Sequence, residues 1–73
     1  MFKKDFAFPP DAQWCLGETP PKVAEFDRLL ARYRAEVDAD AFGHEMWRDR
    51  HGMCRLAIVA GNGEIVYSSL YLL

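Results

Sequence analysis

Little in this 73-residue sequence is long, extreme or repeated, and each absence narrows what the chain can be. No apolar run approaches the roughly 18 residues of a membrane-crossing helix. The start, Met1-Phe2-Lys3-Lys4, is followed at once by Asp5, Pro9, Pro10 and Asp11. It therefore holds no apolar core of signal-peptide length, and the expectation is a cytoplasmic protein. Cysteine is scarce, with Cys15 and Cys54 only. In a reducing compartment two isolated cysteines read as small buried hydrophobes rather than as a disulfide. An excess of one charge is lacking too. A net charge of −2 and a pI near 5.5 suit neither a generic polyanion binder nor a nucleic-acid mimic.

What the chain does have is apolar surface. Hydrophobic residues make up 51 % of it and aromatics 14 %, which excludes disorder over most of the length. A single domain spanning 1–73 is expected, and one this small buries only about 60 % of its unfolded surface. So much apolar surface exceeds what one small globule can hide. Self-association or a partner is the expected outlet.

The strongest local signal lies between Met53 and Leu73. Cys54-Arg55-Leu56-Ala57-Ile58-Val59-Ala60 and Glu64-Ile65-Val66-Tyr67-Ser68-Ser69-Leu70-Tyr71-Leu72-Leu73 flank Gly61-Asn62-Gly63. Asn62-Gly63 between β-branched and aromatic runs predicts a β-hairpin over 53–73 with a type I′ turn, positive in φ at both residues. Period-2 alternation puts Leu56, Ile58, Ala60, Ile65, Tyr67 and Tyr71 on one face. Ala57, Val59, Val66, Leu70 and Leu72 take the other. Both faces are apolar and both need a cover.

One cover is plain. After Thr19-Pro20-Pro21, which suits a helix start, Val23, Phe26, Leu30, Tyr33 and Val37 recur at spacings of three and four, with Leu29 widening the stripe. A helix over 20–38 is predicted, packing Phe26, Leu30 and Tyr33 on the Leu56/Ile58/Ile65/Tyr67 face. Arg32 with Glu36 and Arg34 with Asp38 are spaced as i,i+4 pairs. The arm, residues 1–19, carries Phe2, Phe6, Phe8 and Trp14, with Pro9-Pro10 limiting strand pairing. It is expected to lie across the domain.

Residues 38–52 read two ways. As a helix, Asp40 would cap the start and Gly52 would end it. As a strand, Phe42 to Arg48 would precede a type I turn, Asp49-Arg50-His51-Gly52. The fold class is α+β under both: one amphipathic helix on a C-terminal antiparallel hairpin or three-stranded meander, with an irregular arm.

No residue pattern marks a catalytic or cofactor site. Cys15, His44, His51 and Cys54 could together suit zinc, but their spacing lacks Cys-x-x-Cys and His-x₃₋₅-His. His44, Glu45, Asp49 and His51 could exchange protons beside Arg48 or Arg50. Yet no Gly-rich phosphate loop, Ser nucleophile elbow or Cys–His context accompanies them. The expectation is no enzyme, no metal and no cofactor. The function expected instead is a small protein-binding module, docking as a homodimer or on a larger protein through Val59, Val66, Leu70 and Leu72, with Trp47, Arg48 and Arg50 as a second contact group. Its size would suit a phage or mobile-element product, such as a structural subunit or an inhibitor of a host complex. The alternative is a nucleic-acid-binding regulator, in which Trp47 stacks a base while neighbouring arginines take phosphates.

Overall fold

The computed structural model describes residues 6–9 and 23–72. Trp14, Cys15 and the Thr19-Pro20-Pro21 helix start lie outside them. Within them, helix α1 (Val23–Glu36) precedes three strands, β1 (Phe42–Arg48), β2 (Met53–Val59) and β3 (Ile65–Leu72). The strands form an antiparallel meander in the order β1-β2-β3. The ambiguous segment is therefore a strand. The Asp49–Gly52 turn explains the choice: the Asp49 carboxylate accepts the amides of His51 at 2.9 Å and Met53 at 3.0 Å. Gly52 supplies a φ of 90° that closes the reversal.

The helix packs on one face of the sheet. Phe26, Leu29, Tyr33, Ala41, Cys54, Ile58 and Tyr71 form the buried core, with Val23, Leu30, Val37, Leu56, Val66 and Tyr67 packed around it. The stripe is rotated slightly from expectation, since Leu29 is buried and Leu30 sits half-buried at its flank. Gly43 brings β1 close beneath α1. A Cβ there would stand 3.1 Å from the Phe26 ring and 3.2 Å from a Leu30 methyl. The arm helps on this same side. Phe8 stacks between Tyr33, 5.4 Å away, and Tyr67, 4.9 Å away, while Phe6 meets the Tyr33 ring edge-on.

The β2–β3 connection departs from the expected turn. Gly63 donates its amide to the Ala60 carbonyl and Ala60 donates to the Glu64 carbonyl, so the loop is Gly61-Asn62-Gly63. Only Gly63 has positive φ, 91°; Asn62 does not. This is a type I turn closed by a left-handed glycine, the usual three-residue hairpin. Asn62 instead accepts the Glu64 amide through its side chain at 2.9 Å. The loop is also tied to the helix end. Asp38 accepts the Asp40 amide at 3.0 Å and the Gly61 amide at 2.9 Å. Arg34 donates to the Ala39 carbonyl at 3.3 Å, and Arg32 approaches Glu36 at 3.6 Å.

A bulge beside this loop changes the faces. Ile58 pairs with Tyr67 but Val59 pairs with Ile65, leaving Val66 as the extra residue. Such a residue breaks the alternation. Val66 packs against the helix-side core, and Ile65 joins Val59 on the other face. The two residues exchange the faces that strict alternation assigns them.

Candidate docking face

The face of the sheet turned away from α1 can be read row by row from the register. Phe42, Val59 and Ile65 form the first row, followed by His44, Ala57 and Ser68. Trp47, Arg55 and Leu70 come next, and Met53 with Leu72 end the sheet. Phe42 is 50 % exposed, Ile65 51 %, Trp47 45 % and Leu72 38 %. These four, with Met46, are the exposed large hydrophobics among the described residues, and the four share one face. Between them Val59 and Ala57 are buried. The apolar surface is thus carried by the flanking strands β1 and β3, with the centre of β2 as its floor. Arg55 donates to the Ser68 hydroxyl at 3.2 Å across this floor.

The residues expected to bind a partner are divided by this geometry. Leu72 is exposed on the face, Leu70 is half-buried there, and Val59 lies there but is buried. Val66 belongs to the opposite side through the bulge. Trp47 is on the face, but Arg48 pairs with Cys54 and so points to the helix side. There it donates to Glu45 at 2.8 Å, a bond that raises the guanidinium pKa further. Arg50 is exposed in the β1–β2 turn. Phe42 and Ile65 were not among the expected contact residues. Phe42 needed the strand reading, and Ile65 needed the bulge.

The groups with chemical capacity are scattered. His44 is on the exposed face, His51 is in the turn, and Cys54 is fully buried on the helix side. Burial pushes the Cys54 thiol pKa up, away from thiolate chemistry. Among the described residues no three His, Cys, Asp or Glu side chains gather as metal ligands. Asp49 and Glu45 are each engaged, one by backbone amides and the other by Arg48. An open groove of about 430 Å³ lies between the arm and the helix, lined by Phe8, Pro9, Leu29, Glu25, Arg28 and Arg32. Buried polar side-chain atoms among the described residues all have hydrogen-bond partners. No described helix is long and apolar enough to cross a membrane. No protein family, curated protein or solved structure matches this chain.

Proposed function

We propose that the chain is a protein-binding module whose docking surface is the sheet face opposite α1. One observation carries this reading: Phe42, Trp47, Ile65 and Leu72 are 38–51 % exposed on one face of the sheet, on the two strands that flank β2, while the helix occupies the other face. Clustered large hydrophobics in water mark interaction sites more often than scattered ones do. Trp is also the residue type most enriched at binding hot spots. A face of this kind suits a structural subunit or an inhibitor that works by occupying a surface. The nucleic-acid alternative has less support, because strand alternation parts Trp47 from Arg48, and Arg48 is paired with Glu45.

A photo-reactive side chain at Phe42, compared with one at Asp27 on the exposed side of α1, tests the reading in the producing cell. Polypeptide adducts are expected from position 42 and few from position 27. Equal yields from both positions, or nucleotide adducts from position 42, would reject it. Binding through this face is also expected to weaken little with salt, unlike phosphate recognition.

A further inference from the structure

The sheet has two outer edges, and they are finished differently. Strand β1 carries Glu45 and Arg48 and is bulged at Met46, devices that keep a sheet edge from pairing. Strand β3 reads Ile-Val-Tyr-Ser-Ser-Leu-Tyr-Leu, with no charge, proline or glycine, and its bulge is confined to its first residues. Among the described residues it is paired on one side only. The direction of its outer backbone groups follows from two hydrogen bonds. Met53 accepts from Asp49, so its carbonyl faces β1, and Ala60 donates to Glu64 on the β3 side. The register in β2 is continuous between them, so Cys54, Leu56 and Ile58 face β3, bonding Tyr71, Ser69 and Tyr67. The N–H and C=O groups of Ser68, Leu70 and Leu72 therefore point outward.

We infer that this edge pairs with the same edge of a second copy, giving a twofold dimer with one six-stranded sheet. This goes beyond the docking face and does not depend on it. A twofold axis normal to the sheet keeps each copy's helix on the same side, so residues that meet must share a face. With Ser69 at the axis, Ser68 meets Leu70 of the second copy, and each gives and takes one backbone hydrogen bond. Tyr67 then lies opposite Tyr71 of the second copy, an aromatic cross-strand pair. No ionisable carboxylate or cation lies in β3, so self-pairing sets no like charges against each other. Across the join the two exposed apolar faces become continuous.

Sedimentation equilibrium on the full chain is expected to show a mass rising with concentration from 8.4 kDa toward twice that value. Leu70→Pro removes an outward N–H without touching the β2 ladder, and should hold the mass at the monomer. Leu70→Ala keeps that N–H and should still dimerise, as should Trp47→Glu on the far strand. Amide exchange on the unmodified chain gives a reading that does not depend on how the proline variant folds. The Ser68 and Leu70 amides should gain protection as concentration rises, while those of Ser69 and Tyr71 stay protected throughout. A monomer at all concentrations overturns the inference, as does protection of the outer amides that ignores dilution. A dimer lost equally in Leu70→Ala and Trp47→Glu would also overturn it, but would leave the docking face standing.

Discussion

On the helix side of the sheet, Cys54, Ile58 and Tyr71 are shut off from water, whereas on its other face Phe42, Trp47 and Ile65 keep about half their surface in solvent. Both faces carry large apolar side chains, so hydrophobicity alone does not distinguish them. What distinguishes them is reach. A fourteen-residue helix with one apolar stripe covers one face, and the aromatic pair Phe6 and Phe8 extends that cover toward β3 by stacking on Tyr33 and Tyr67. Among the described residues, the arm reinforces the face that already has a helix.

The largest effect that can break this contrast is a cavity on one side set against a truncation on the other. Ile58→Ala should cost about 2–5 kcal/mol, as a fully buried large-to-small change, enough to unfold a domain of this size under mild conditions. Phe42→Ala, removing more atoms from the exposed face, should stay within about 0.5 kcal/mol. Leu29→Ala should likewise exceed Leu30→Ala, because Leu29 is the buried member of the pair. Thermal or urea melts of the four variants check this. Equal losses at Ile58 and Phe42 would mean that the outer face is covered from within the chain.

Two glycines sharpen the comparison at the next level down, because each is required for a different reason. Gly43 is required for space, with Phe26 and Leu30 atoms 3.1–3.2 Å from its missing Cβ. Gly43→Val should lift α1 from the sheet and cost about 1–3 kcal/mol as overpacking. Gly63 has nothing within 4 Å of its missing Cβ, but its φ is 91°. Gly63→Ala should cost about 1–2 kcal/mol through backbone strain alone, and Gly63→Val more. An Asp38→Ala change, which frees the Asp40 and Gly61 amides, should cost about 1 kcal/mol. A Cβ added at Gly61 would stand only 2.8 Å from the Asp40 Cβ, so the loop lies close to Asp40, and that loss should be accompanied by faster exchange of the Gly61 amide.

These positions also mark what the sequence makes legible. The helix and the hairpin can be read from it because each is set by local signals, spacing of three and four and alternation, whereas the Asp49–Gly52 turn is one of two readings that the sequence leaves open. The face assignments of Ile65 and Val66 could not be read, since one inserted residue at a bulge reverses them and nothing in Glu64-Ile65-Val66-Tyr67 announces it. The turn type departs from its local signal for a related reason. Asn62-Gly63 suits type I′, but Gly61 allows a three-residue loop whose hydrogen bonds also reach Asp38, a contact 23 residues away in the chain. The exposed apolar face is half legible. Leu72 and Trp47 stand out as apolar residues at surface positions, while Phe42 depends on choosing strand over helix for residues 38–52, and propensity does not choose.

The smallest effect at neutral pH concerns the hidden ionisable groups of the covered face. Burial raises the pKa of Cys54 and of Tyr71, and the Tyr71 hydroxyl also hydrogen-bonds with Tyr67 and Ser69. In the unfolded chain these groups release their protons near the ordinary values of 9.0 and 10.0. Below those values both states hold the same protons, so stability should not depend on these two groups. As pH rises past about 9, the unfolded chain ionises first, and folding must then be opposed by the cost of keeping both groups protonated. The melting temperature should therefore be flat on this account up to pH 9.0 and fall above it, with Tyr71→Phe removing the upper part of the fall. The exposed face has no counterpart: Trp47, Phe42 and Ile65 do not titrate, so replacing them should leave the alkaline limb unchanged. An alkaline limb that persists in full in a Cys54→Ala, Tyr71→Phe double variant would show that neither group is as enclosed as the core packing implies.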